Sequence, residues 1–369
     1  MKKNLLVTLA DKNYIKQAKQ LFSSIYFNAG WKGDYMLLAY DIPEKRLGWF
    51  KKRGILIKKM NPKKYFKFKK KWIKIFSSDQ KNISIDAQQN KVLDKYYTTS
   101  CKLFLFTPYF KQWKNIVYLD GDITINGSLE ELTKVKGLAA CPDYACPRLI
   151  DQFMSRYYIT EGSEITTVVE YKETKRIKKR LKGYNTKKLA FNSGVIAFNT
   201  DIITDKTFST IKKLLRLYGE LSFKALYEQG FINLLFYKKW KPLAIVYNTY
   251  PYYFSDYCKT NPKKIKGIIF HYCITKPWNI KKEDYFSRKW KNNLKKADLI
   301  DLKHPKKSKK WTKWEIRKNS LYLKKEHSLF FYKDRFFTNM DRKIGQFGIF
   351  LKKKSPKVYY FLKKLKDKL

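Results

Sequence analysis

Asn115-Ile-Val-Tyr-Leu-Asp-Gly-Asp-Ile-Thr124 is a short hydrophobic run that delivers two aspartates to its end. Ile116, Val117, Tyr118 and Leu119 read as a buried parallel strand, because a strand covered on both faces shows a continuous apolar run. Asp120 and Asp122 lie two apart, so in extended chain both carboxylates project to one side. Gly121 has no Cβ and lets a ligand approach the backbone closely. Paired carboxylates at a strand end suit a hard divalent cation that must also hold a diphosphate. The plainer alternative is a strand followed by an acidic turn, and the pair alone does not decide between them.

Outward from this stretch, strand-like and helix-like segments alternate to about residue 280. Leu5–Leu9 reads as a first strand. Tyr14–Phe27 carries Ile15, Ala18, Phe22, Ile25 and Tyr26 at helical spacing. Tyr35–Ala39, Ile55–Ile57, Val195–Phe198, Leu243–Tyr247 and Gly267–Phe270 are further strand candidates, and Phe223–Phe236 looks helical. Residues 61–100 read as Lys-rich and irregular, and Cys146–Lys188 as an insertion or loop. The βαβ rhythm implies an α/β fold with a mostly parallel sheet that binds nucleotide at the carboxyl ends of its strands.

The 369 residues suffice for one large core plus an appendage, and 44% are hydrophobic. Lys and Arg number 81 against 31 Asp and Glu, so an anionic partner is expected: nucleic acid, anionic lipid or a sugar nucleotide. The abundance of Lys, Asn, Ile, Tyr and Phe also matches the usage of an AT-rich genome, which accounts for part of that charge. Five cysteines form no C-x-x-C pair and leave one unmatched, which argues for a reducing compartment. The apolar run after Met1 is short and followed by Asp11, so it reads as a strand and not a signal peptide. No apolar run is long enough for a spanning helix.

Beyond about residue 285 the character changes. From Lys281 to Leu369 there are 29 Lys and Arg against 9 Asp and Glu, interleaved with Trp290, Trp311, Trp314, Phe330 and Phe336. Val358, Phe361, Leu362, Leu365 and Leu369 share one helical face. A basic amphipathic helix reads as a membrane-surface element; the alternative is a helix packed on the catalytic domain. The division expected is residues 1–285 as catalytic domain and 286–369 as a basic, aromatic-rich extension.

Four more segments join the aspartate pair: Ala10-Asp-Lys-Asn-Tyr14, Phe191-Asn-Ser-Gly-Val-Ile-Ala-Phe-Asn199 (read as a glycine turn opening a strand), Tyr227-Glu-Gln-Gly-Phe-Ile-Asn233, and Phe270-His-Tyr-Cys-Ile-Thr-Lys-Pro-Trp278. Their order and spacing resemble family 8 glycosyltransferases, retaining enzymes of the GT-A fold. Within that family the likeness is to bacterial lipopolysaccharide α-galactosyl- and glucosyltransferases. The resemblance implies Asp120, Asp122 and His271 as metal ligands. Two oxygens and an imidazole favour Mn²⁺ over Mg²⁺. It implies Lys276 at the diphosphate, Asp11 and Asn13 at the uracil, and Tyr14 stacked on the base. The bland reading of Asp11 or Asn13 is a helix N-cap.

By the same resemblance Asn192 and Asp143 bind the donor sugar hydroxyls, with Gly121 and Lys102 in the nucleotide-sugar site and Gln229 and Glu228 near the anomeric carbon. Three departures stand out. Lys102 replaces an arginine and supplies a point charge instead of a fork. Gly230 stands where relatives carry an aspartate. The His271 motif is one residue shorter than H-x-x-G-x-x-K-P-W and lacks its glycine.

The resulting expectation is a metal-dependent, retaining hexosyltransferase. Its donor is UDP-galactose or UDP-glucose, and its acceptor a glycan or glycolipid such as lipopolysaccharide. It is placed in the cytoplasm or peripherally on the cytoplasmic face of a membrane. The rivals are a basic nucleic-acid-binding protein and a catalytically degenerate transferase-fold scaffold.

Overall fold

The structure, a computed structural model, describes residues 2–68, 85–154, 174–223 and 225–330, and Ser355. The first strand, β1 (Lys2–Ala10), is buried from Asn4 to Ala10. Leu6 and Ala10 enter the core on one side of the sheet, and Leu5, Val7 and Leu9 the core on the other. This two-sided burial is what a near-continuous apolar run demands. The helix Ile15–Asn28 follows and covers the first side with Ala18, Leu21, Phe22 and Ile25.

The remaining strands are β2 (Asp34–Tyr40), β3 (Leu56–Met60), β4 (Trp113–Leu119), β5 (Ile123–Ile125), β6 (Leu138–Pro142), β7 (Phe191–Asn199), β8 (Trp240–Pro242) and β9 (Ile269–His271). Seven form one sheet in the order β3-β2-β1-β4-β7-β6-β8. β3, β2, β1 and β4 run parallel, whereas β7 is antiparallel to both β4 and β6. β8 returns parallel to β6, so the sheet is mixed and mostly parallel, flanked by helices.

A separate pair, β5 and β9, is antiparallel with Ile123 opposite His271. That register sets His271 beside the residue that follows Asp122.

Several expectations need correction. Ile245–Tyr247 is a 3₁₀ turn and not a strand; the pairing with β6 ends where the Leu243 amide donates to Ala140 O at 2.8 Å. Helix Ile85–Ser100 occupies the end of the stretch read as irregular. Phe223–Phe236 is not one helix. Helices Thr207–Phe223 and Glu228–Leu235 are separated at Tyr227, which adopts φ +54°, a costly value for a residue with a Cβ. Gly194 lies inside β7 and not in a turn before it.

Within Cys146–Lys188, residues Leu149, Ile150, Phe153, Met154, Ile177 and Leu181 are core, while 155–173 lie outside the described residues.

From residue 285 to 330 the chain stays on the body. Helix Tyr285–Lys295 packs against Ile15–Asn28 and buries Phe286 and Trp290. Asp284 caps it by accepting from the Ser287 amide at 2.7 Å, while Ser287 Oγ accepts from the Asp284 amide. Tyr26 donates to His304 O at 2.9 Å. A Cβ on Gly127 would lie 2.8 Å from Trp311 Nε1, so that glycine admits the indole. Residues 313–330 form a helix whose Leu323 is fully buried in the main core. The amphipathic face at Val358–Leu369 lies outside the described residues. No helix among the described residues is long and apolar enough to cross a membrane.

Candidate active site

The carboxyl ends of β1, β2 and β4 open on a cavity of about 980 Å³. At one end lie Asp11, Asn13 and Tyr14, just past β1. Asp11 Oδ1 accepts from the amides of Asn13 (2.8 Å) and Tyr14 (3.1 Å). This Asx turn shapes the entry to helix Ile15–Asn28 and keeps the other carboxylate oxygen out of the turn. Tyr14 meets Trp278 edge-on at 6.0 Å between ring centroids.

Asp120, Gly121 and Asp122 also line the cavity, together with Lys102, Glu228, Cys273 and Lys276. The Asp120 amide donates to Gly194 O at 2.8 Å, which pins the end of β4 to β7. Asp120 Oδ1 accepts from Tyr118 (2.6 Å) and Lys102 (3.1 Å). Asp122 Oδ2 accepts from Lys276 at 2.5 Å. Burial opposes ionisation of Asp122, but Lys276 and His271 override it and hold the carboxyl far below the usual carboxylate range. His271 lies behind the pair, 3% exposed. Its Nε2 is 3.2 Å from Asp122 Oδ1 and 3.9 Å from Asp120 Oδ2.

A hydrogen-bond chain fixes the imidazole. Asn192 Oδ1 accepts from the Gly194 amide (2.9 Å) and from Asn248 Nδ2 (3.0 Å). That leaves Asn248 Oδ1 as the acceptor for His271 Nδ1 at 2.9 Å. An amide oxygen there keeps a proton on Nδ1 and aims Nε2 at the aspartates, where it would offer its lone pair to a cation that displaces its proton.

The donor set fits a divalent cation. One oxygen from each aspartate and one imidazole nitrogen all lie within 4.8 Å of one another. Gly194 is the structural precondition: a Cβ there would sit 2.1 Å from His271 Cε1 and 2.9 Å from Asp120 Oδ2. Neither Asn248 nor the packing role of Gly194 was visible in the sequence, although Gly194 lies within a segment that was singled out.

Lys102 is buried, and its ammonium reaches Glu228 Oε1 at 2.7 Å, Asp120 Oδ1 at 3.1 Å and Ser193 O at 3.2 Å. Burial alone would discharge it; Asp120 and Glu228 outweigh that and raise its pKa. The point charge thus joins the aspartate pair to the Glu228 carboxylate, which also lines the cavity.

Gln229 does not line the cavity. Its Oε1 accepts from the Ser193 amide (2.8 Å), and its Nε2 donates to Asp143 Oδ2 (2.8 Å) and Gln152 Oε1 (2.7 Å). Both its donors are used within the protein. Asp143 is 3% exposed and also accepts from the amides of Ala145 (3.0 Å) and Cys146 (3.1 Å). Asn192, partly exposed, is also outside that lining, and its Oδ1 is taken by Gly194 and Asn248. A Cβ on Gly230 would lie 2.9 Å from Phe153 Cε1, so the Phe153 ring packs where a side chain at this position would begin.

The architecture is the GT-A fold of glycosyltransferases, shared with solved structures. One is the bifunctional glycosyltransferase WbbM in its apo form (18% identity, TM-score 0.53, 86% of this chain and 52% of that one). Another is LgtC, solved as an active-site mutant (17%, TM-score 0.53, 79% of this chain and 95% of that one). A third is LgtC in complex with donor and acceptor sugar analogs, at 17% identity, TM-score 0.51 and the same coverage. The chain spans about half the length of WbbM. No curated protein matches it. The chain belongs to glycosyl transferase family 8, whose model matches residues 5–282.

Proposed function

We propose that this glycosyltransferase moves a hexose, galactose or glucose, from a UDP-sugar to a glycan or glycolipid with retention at the anomeric carbon. The observation that carries the reading is the Asp120, Asp122 and His271 cluster at the wall of the large cavity. These residues would hold Mn²⁺, or Mg²⁺ less well, which when bound supplies positive charge beside the leaving diphosphate.

Asp11, Asn13 and Tyr14 receive the uracil at the far end. Lys276 adds a point cation against the departing charge. As the bond from C1 to the diphosphate breaks, its electron pair leaves with UDP. The acceptor hydroxyl bonds to C1 from the same face, and its proton passes to the leaving phosphate. Glu228, held by Lys102 and lining the cavity, supports the developing positive charge on the sugar. Gln229 and Asp143 keep that wall in place.

The test is a thermal-shift screen of UDP-sugars with Mn²⁺, followed by NMR of the product. A ligand at 100 times its dissociation constant adds ~2.7 kcal/mol to the folded state. UDP-galactose or UDP-glucose should shift the melting temperature only with metal, and the product coupling should be α. A β product rejects the retaining mechanism.

A further inference from the structure

The helix spanning 313–330 presents an excess of positive charge to solvent. Its five cations, Lys313, Arg317, Lys318, Lys324 and Lys325, are all exposed. Its two acids are engaged: Glu315 accepts from the Thr312 amide at 2.8 Å at the helix start and pairs with Lys309 at 3.5 Å, and Glu326 accepts from Thr260 at 3.0 Å. Along the outer face run Trp314, Leu321 and Leu329, exposed by 65%, 58% and 49%. At seven- and eight-residue spacing these three lie within a narrow sector of the helix surface.

The inner face is anchored. Leu323 is fully buried and Ser320 is 7% exposed. His327 Nδ1 is 2.9 Å from the Tyr253 hydroxyl. Its ring lies 5.2 Å from that of Tyr144, the neighbour of Asp143. The outer face is therefore held rigidly on the body that carries the cavity.

We infer that this outer face is a docking surface for an anionic lipid bilayer. The argument is charge complementarity combined with the apolar line. A bilayer interface accepts a tryptophan and two leucines below the headgroups while anionic phosphates pair with the flanking cations. A nucleic acid strand would use the cations and the indole but has no place for the leucines. The inference does not rest on the proposed reaction.

The experiment is flotation of the full chain with phosphatidylcholine vesicles, with and without phosphatidylglycerol. Three variants are compared with wild type. The first reverses four charges on the face (Arg317→Glu, Lys318→Glu, Lys324→Glu, Lys325→Glu). The second reverses four exposed lysines elsewhere (Lys178→Glu, Lys179→Glu, Lys187→Glu, Lys188→Glu), for the same change in net charge. The third is Trp314→Ser with Leu321→Ser. Every substituted side chain is solvent-exposed, and an unchanged thermal midpoint verifies each fold.

Wild type should bind anionic vesicles and not neutral ones. Reversal on the face should weaken binding at least ~tenfold and the control reversal far less. The Trp314/Leu321 variant should lose several-fold affinity for vesicles while keeping its affinity for an oligothymidylate. Equal losses in the two charge variants overturn the inference. So does full vesicle binding by the Trp314/Leu321 variant, or a loss confined to the oligonucleotide.

Discussion

Asn248 Oδ1 accepts a hydrogen bond from His271 Nδ1 at 2.9 Å, and Asn248 is itself oriented by Asn192 at 3.0 Å. The asparagine lies twenty-three positions before the histidine in sequence, and Asn248 belongs to none of the segments singled out in the chain. Yet this contact decides which imidazole nitrogen faces Asp120 and Asp122. Asn248→Ala should weaken Mn²⁺ binding by about 10- to 100-fold, the usual penalty for losing a partner of a metal-ligating histidine. It should also destabilise the fold by about 1–3 kcal/mol, since Asn192 and His271 lose a buried partner. Metal titration followed by electron paramagnetic resonance, alongside urea unfolding, separates the two effects. Unchanged metal affinity contradicts the orienting role.

Gly194→Ala tests the cradle. The added methyl would overlap His271, which cannot retreat while Asn248 and the β5–β9 register hold it. Metal affinity should fall by at least ~tenfold, with retention of the circular-dichroism spectrum. An alanine variant that binds metal like the wild type shows that the site is looser than the geometry here.

Lys289 offers a pH-dependent test of the packing past residue 285. Burial lowers its pKa to about 8, and its ammonium lies 5.3 Å from the centre of the Phe270 ring. The folded state therefore sheds a proton that the unfolded chain keeps up to its ordinary value near 10.5. Stability should rise as pH climbs from about 8 to 10.5 and be lowest below that window. Lys289→Met should remove this rise and stabilise the protein at pH 7 by on the order of 2 kcal/mol. Urea midpoints at pH 7 and pH 10 measure both.

Leu323→Ala asks whether the region after residue 285 belongs to the same cooperative unit. A fully buried leucine in the main cluster should cost about 2–5 kcal/mol on truncation. The loss should appear as one transition that also shifts the cavity's thermal response to ligand. Deleting everything from residue 286 removes Phe286, Trp290 and Leu323 from that core and should abolish cooperative unfolding. A deletion that still melts in one sharp step marks the extension as separable.

Much of this site was legible in the chain, and for identifiable reasons. Asp120 and Asp122 follow a strand whose apolar run needs no tertiary context to read. Lys276 and His271 share a short segment with Pro277 and Trp278, so likeness to a family found them together. Asn248 and Gly194 act only through β5–β9 and β4–β7 pairing, which brings residues more than seventy apart into contact. Helix Ile85–Ser100 is polar along most of its length, so its periodicity is weak. The turn at Ile245–Tyr247 is as apolar as a strand, and its shape follows from how it packs, not from its residues. Gln229 and Asn192 were expected to face the donor; the structure engages both with neighbouring protein groups.

The most direct test of the proposed chemistry is UDP release from UDP-galactose and UDP-glucose, measured on the wild type and on Asp122→Asn. Asp122 bridges Lys276 and His271, so the substitution strikes the cluster while leaving the strand before it intact. The account predicts turnover with Mn²⁺, less with Mg²⁺, none in chelator, and none from the Asp122→Asn protein at any metal concentration. Undiminished UDP release in chelator, or from the folded Asp122→Asn protein, would contradict it.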